Sequence, residues 1–154
     1  MIDSPVKVST EKQATAAIRL SMPRADIQKF MEPAIQELFA ALAAQGIAPA
    51  GPLSSYHFKI DPAFFDFEIC VPVAKPVNPV GRVINSALPA LTVMRTNYHG
   101  PYENLGEAWG QFHAAIGVDK GCESGGLWEC YVKGPESSPD PAQWITQLNQ
   151  PLKV

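Results

Sequence analysis

The sequence predicts an α+β fold made of two similar halves, each ordered strand, strand, helix, strand, strand. Three observations carry this. First, the apolar period changes from about two to about 3.6 residues twice along the chain, once near residue 24 and once near residue 101. Second, landmarks repeat: Pro23 and Pro101 open the helical stretches 78 residues apart, and Pro72 and Pro151 close the last strand of each half 79 apart. Third, hydrophobic residues make up 46% of 154, enough for a packed core, while 15 prolines and 11 glycines suit many short elements joined by turns. A single helix cannot cover both faces of its own antiparallel sheet. The halves, about 6–73 and 80–152 of one domain spanning 1–154, are therefore expected to dock as a pseudo-symmetric pair with a groove between them.

In order, residues 6–8 form a short strand and residues 14–21 a longer one in which Ala16, Ile18 and Leu20 alternate. From Arg24 to Gln45, Ile27, Phe30, Met31, Ala34, Ile35, Leu38 and Leu42 make one helical stripe. Pro33 within it is expected to kink the helix or to start its main body, and Gly46 to stop it. Residues 53–60 and 64–71 are strands joined at Asp61-Pro62. In the second of them Phe65, Phe67, Ile69 and Val71 share one face, while Asp66, Glu68 and Cys70 share the other. The proline-rich run 72–79 connects the halves. Residues 80–85 and 91–98 are the next strands. A helix follows, with Pro101 near its first position, a stripe of Leu105, Ala108, Trp109, Phe112 and Ile116, and Gly117 at its end. Loop 118–126 leads to a strand at 127–133, and residues 144–150 form the last strand.

Composition narrows the function. The net charge is −3 and no basic run alternates with aromatics, which argues against direct nucleic-acid binding. No charged-then-apolar leader and no membrane-length apolar run is visible, so a cytoplasmic protein is expected. The three cysteines have no paired spacing, and His57, His99 and His113 are scattered, so neither a metal nor another cofactor is expected. Nucleotide-loop and serine-hydrolase motifs are absent from the sequence.

The most informative stretch is Leu127-Trp128-Glu129-Cys130-Tyr131-Val132-Lys133. Alternation puts Glu129 with Leu127 and Tyr131 on one face, and Trp128, Cys130 and Val132 on the other. The Trp128 face is apolar enough to be the one that packs against a helix. An acid among bulky neighbours must be paired, protonated or exposed. A mid-strand Glu is ordinarily solvent-exposed, and Glu68 is expected to be so. For Glu129 the local pattern leaves two readings, a strand-edge acid in water, which it favours, and an acid at the floor of an aromatic pocket.

Several stretches together resemble the GyrI-like small-molecule-binding domain, also found as the effector-binding half of AraC-type and MerR-type multidrug regulators. His99-Gly100-Pro101-Tyr102, followed by Leu105 and Ala108, is similar to the family's H-x-G-P-Y-x-x-L-x-x-A segment. Trp128-Glu129-Cys130-Tyr131 resembles its W-E-x-Y strand, and Asp140-Pro141 through Trp144, with Gln150-Pro151-Leu152, resembles its closing strand. In the first half, 42–52 and 67–73 also match. The resemblance implies two β-α-β-β units in a curved eight-stranded antiparallel sheet, with helices outside and a central ligand groove. It also implies that Glu129 pairs with cationic aromatic ligands, with Tyr131 beside it. Two features depart from the family pattern: the 118–126 approach to the Glu strand, and the lack of a DNA-binding segment.

The expected ligand site is Glu129 and Tyr131 with Tyr98, Trp109, Tyr56 and Tyr102, of which Trp109 lies on the helical stripe and the other tyrosines lie at strand ends or turns. The expected function is a stand-alone binder of small lipophilic, cationic aromatic molecules that sequesters a drug or senses one for a separate regulatory partner, rather than an enzyme. Two alternatives implied by the family are a hydrolase of electrophilic small molecules in which Glu129 activates water, and a protein partner that inhibits a topoisomerase.

Overall fold

The computed structural model describes residues 1–60, 63–117 and 126–152; the turn expected at Asp61-Pro62, residues 118–125 of the expected loop, and residues 153–154 lie outside them. Its elements are β1 (Val6–Ser9), β2 (Gln13–Pro23), α1 (Ile27–Ala44), β3 (Ser54–Ile60), β4 (Phe64–Pro72), β5 (Ile84–Leu88), β6 (Thr92–His99), α2 (Leu105–Ile116), β7 (Leu127–Lys133) and β8 (Ile145–Pro151). All eight strands join one sheet in the order β1-β6-β8-β7-β3-β4-β2-β5, and every pairing is antiparallel. This order maps onto itself when β1–β4 are exchanged with β5–β8, so the repeat read from the prolines is a pseudo-twofold. Its axis passes between β3 and β7, and each half lends its first strand to the outer edge of the other.

Both helices pack on the same face. Under α1, Ile18 and Leu20 of β2 and Phe67 and Ile69 of β4 meet Ala34, Leu38 and Leu42, each at most 5% exposed. Under α2, Tyr98 of β6 and Leu148 of β8 meet Ala108 and Phe112. Each fully buried Leu, Ile or Phe of this kind contributes about 1.5–3 kcal/mol relative to leaving it exposed. Alternation explains the choice of face: Phe67, Ile69 and Val71 point to α1, as expected. Pro33 lies inside α1, which starts six residues earlier at Ile27, so it does not begin the helix. Gly46 and Gly117 follow the two helices with φ of +67° each, a left-handed conformation that glycine adopts at little cost.

The other face is also buried at its centre. Ala17, Cys70, Ser54, Trp128 and Asn149 are all below 5% exposure although no helix covers them. The sheet curves over this face and its corners are tied together. In the β1–β2 turn, Thr10 Oγ1 donates to the Pro89 carbonyl at 2.8 Å and accepts from the Leu91 N–H of the β5–β6 turn at 3.0 Å. Two expectations change here. The strand placed at 80–85 runs instead over Ile84–Leu88, because Val80 and Val83 close a tight turn on each other. Glu68, expected in solvent, is 5% exposed on the concave face and accepts a 2.6 Å hydrogen bond from Ser86 Oγ. Burial raises its pKa above the ordinary carboxylate value.

Candidate functional site

Glu129 lies at the join of the two halves. On β7 it is in register with Ser55 of β3 on one side and Leu148 of β8 on the other. Its side chain is on the face that carries the helices. The sequence reading placed a helix against Trp128 and Cys130, and the structure reverses this. Trp128 belongs to the concave face, where it stacks with Tyr56 at 6.0 Å between ring centres. The Glu129 face can take a helix because hydrogen-bond donors from its neighbours replace water at the carboxylate.

Those donors are specific. Trp109 Nε1 of α2 donates to Glu129 Oε2 at 2.6 Å, and Tyr131 Oη donates to Oε1 at 2.9 Å. Tyr131 Oη also lies 2.8 Å from Ser55 Oγ, which lies 3.2 Å from His57 Nε2. A hydroxyl has one hydrogen to give. Tyr131 gives its own to Glu129, so Ser55 donates to Tyr131, and His57 Nε2 must carry the hydrogen that Ser55 accepts. The result is a directed chain from His57 through Ser55 and Tyr131 to Glu129, with Trp109 closing the far side of the acid.

The electrostatics agree with this arrangement. Burial, and then the charge of Glu129, push the Tyr131 phenol well above its ordinary pKa, so it stays a donor. Burial is also the main effect on His57 and pulls its pKa down; Glu129 acts in the opposite direction and Arg24 in the same one. His57 is 8% exposed and stacks on Phe67, 5.1 Å between ring centres. Rings border the acid as well. Tyr102 meets Tyr131 edge-on at 5.6 Å and Trp144 at 5.0 Å, and Trp109 lies 5.7 Å from Phe112. No ion pair among the described residues involves Glu129.

Of the six residues expected at the site, Trp109 and Tyr131 each hydrogen-bond Glu129, and Tyr102 packs against Tyr131. Tyr56 does not join them: it is in register with Trp128, so alternation sends it to the opposite face. Tyr98 shares the face of Glu129 but is 3% exposed, with its hydroxyl donated to the Pro101 carbonyl at 2.9 Å. Its role is to hold the turn before α2. Ser55 and His57 were not among the expected site residues. Their shared face on β3 was readable from alternation, but the register of β3 against β7 was not. Among the described residues no cluster of three His, Cys, Asp or Glu side chains could hold a metal ion. Among the described residues no helix is long and apolar enough to cross a membrane.

A two-helix, eight-stranded module with a ring-bordered acid where its halves meet is a recognisable class of small α+β protein. The chain belongs to the GyrI-like small molecule binding domains, whose family model matches residues 5–153. No curated protein matches it by sequence. Among solved structures it is similar to the EcmrR C-terminal domain, with a TM-score of 0.80 and 24% identity over 97% of this chain and 98% of that one. In the EcmrR–DNA complex the TM-score is 0.81 with 22% identity over 99% of this chain, which spans only 58% of the EcmrR chain. SAV2435, solved with bound tetraphenylphosphonium, has a TM-score of 0.72 at 12% identity over 97% of this chain and 93% of its own. A hydrolase from Listeria innocua has a TM-score of 0.67 at 12% identity, covering 97% of this chain and 92% of its own. At these identities the likeness is one of fold.

Proposed function

We propose that this chain is a receptor for small lipophilic cations with aromatic rings, bound at Glu129, and that it serves as a multidrug sensor for transcriptional control. The observation that carries this reading is the state of the carboxylate. Glu129 is partly buried at the centre of the domain, and its hydrogen-bond partners, Trp109 and Tyr131, are both neutral. Neutral donors satisfy the geometry of the acid and leave its charge uncompensated. A cation about 4 Å away gains roughly 4 kcal/mol at an effective dielectric near 20. Each aromatic face against that cation adds about 0.5–2 kcal/mol. After ordering costs this suffices for affinities of about micromolar. The tetraphenylphosphonium held by SAV2435 is a ligand of this class, and the EcmrR likeness supports the regulatory part of the reading.

Calorimetric titration with tetraphenylphosphonium tests the proposal. The wild type is expected to bind at about micromolar, and Glu129→Gln about tenfold or more weakly. No binding by the folded wild type, or equal binding by the variant, contradicts it.

One observation favours a second reading, hydrolysis of electrophilic small molecules. Glu129 stands at the accepting end of a donor chain that runs from His57 through Ser55 and Tyr131, which fixes its carboxylate in one orientation. In that reading Glu129 takes a proton from water as the water oxygen bonds to the electrophilic carbon and that carbon's bond to its leaving oxygen breaks. The proton then passes to the leaving oxygen, while the donor chain from His57 holds the carboxylate in place. Turnover of an epoxide that is lost in both Glu129→Gln and His57→Gln would establish it, and its absence would leave the receptor alone.

A further inference from the structure

The concave face, on the side of the sheet away from Glu129, holds an open cleft of about 350 Å³. Arg95 of β6, Gln147 of β8 and Trp128 of β7 contribute to it from the centre of the sheet, and Pro72 and Leu88 from its curled ends. These elements converge because Thr10 ties the β1–β2 turn to the β5–β6 turn.

Arg95 gives the cleft its character. Its side chain is partly buried, and its Nε donates to Asn149 Oδ1 at 2.7 Å. Among the described residues its terminal guanidinium N–H groups have no hydrogen-bond partner and meet no carboxylate. The single acidic side chain bordering the cleft, Glu11, is exposed in the β1–β2 turn and forms no ion pair with Arg95. Gln147 has its oxygen occupied by Asn149 Nδ2 at 3.3 Å, which leaves its own amide nitrogen to donate. Burial lowers the Arg95 pKa from the ordinary guanidinium value, as expected for a charge that water serves poorly. A planar guanidinium with its outer fork unused matches a carboxylate or sulfonate in two-point geometry.

We propose that this cleft is a second binding site, specific for small apolar molecules that carry one carboxylate or sulfonate group. Arg95 holds the anion by its outer fork and Gln147 donates beside it. Trp128, Pro72 and Leu88 contact the apolar body. The domain then sorts ligands by charge, with anions on the concave face and cations on the helix face. The Arg95 site stands independently of the reading of Glu129, since the two share no side chain.

Anilinonaphthalene sulfonate, whose fluorescence rises on leaving water, is the probe. Titration of the wild type should saturate. Arg95→Gln should weaken binding about tenfold, since an ionic two-point contact becomes a neutral one. Gln147→Glu, which sets a like charge beside the probe, should weaken it at least as much. Glu129→Gln should leave the affinity within about twofold, because its face is not the one occupied. Circular dichroism confirms that each variant is folded, and Gln147→Glu decides the matter if Arg95→Gln does not fold. A naphthalene carboxylate should displace the probe and the matching alcohol should not. Wild-type affinity in the folded variants, or a loss of affinity in Glu129→Gln equal to that in Arg95→Gln, overturns the proposal.

Discussion

Trp109 Nε1 and Glu129 Oε2 are 2.6 Å apart, so the second helix is latched to the central strand through the one acid at the join of the halves. The same contact satisfies one carboxylate oxygen, and on the proposed function a bound cation competes with it. Trp109→Phe keeps a ring and removes the donor. Loss of a hydrogen bond to a partly buried charge should destabilise the unliganded protein by about 1–3 kcal/mol. On the proposed function tetraphenylphosphonium would replace that interaction, so the rise in Tm on adding it should be larger in Trp109→Phe than in the wild type. Thermal unfolding with and without the cation measures both quantities. An equal or smaller rise would show that Trp109 does not compete with ligand.

His57 should make stability depend on pH in a definite direction. Burial, the main cause, holds its folded pKa below the ordinary imidazole value of 6.5. The unfolded chain therefore takes up a proton first as pH falls. The stabilising contribution is complete above about 6.5 and is lost progressively below it, down to the folded pKa. Urea unfolding between about pH 8 and pH 5, compared with His57→Gln, isolates this term. The wild type should lose more stability across that range than the variant, and parallel profiles would contradict the assignment.

The turn before α2 predicts a backbone effect. Gly100 has φ of +145°, and a Cβ built on it would lie 2.7 Å from Tyr98 Oη, the hydroxyl donated to Pro101. Gly100→Ala should cost about 1–3 kcal/mol through strain and the displaced hydroxyl. Tyr98→Phe in the same chain should recover part of that loss, because it removes the atom that clashes. Additive losses in the double-mutant cycle would show that the two residues do not constrain each other.

What the sequence disclosed followed from local period. The helical stripes, the strand alternation that joined Glu129 to Tyr131 and parted both from Trp128, and the prolines marking the repeat all depend on nearby residues. Where the reading missed, the deciding contacts are distant in the chain. Which face of β7 meets α2 depends on a hydrogen bond from Trp109, and both faces of that strand carry apolar residues. Ser55 and His57 join the site through the β3–β7 register, across more than 70 residues. Glu68 is buried and bonded to Ser86 of β5, a strand from the other half whose place in the sheet no local pattern records. Tyr56 is expected at the site as an aromatic near a strand end, and a single step of alternation relative to Ser55 places it on the face opposite Glu129.

On the proposed function Glu129 selects its ligand by charge. Tetraphenylphosphonium and tetraphenylborate have nearly the same shape and opposite charge, so titrating both into the wild type and Glu129→Gln separates charge from ring contact. The expected result is that the substitution weakens the cation about tenfold or more and does not weaken the anion. An equal change for both ions, or no change for either, would mean that the acid at the join of the halves is not what the ligand reads.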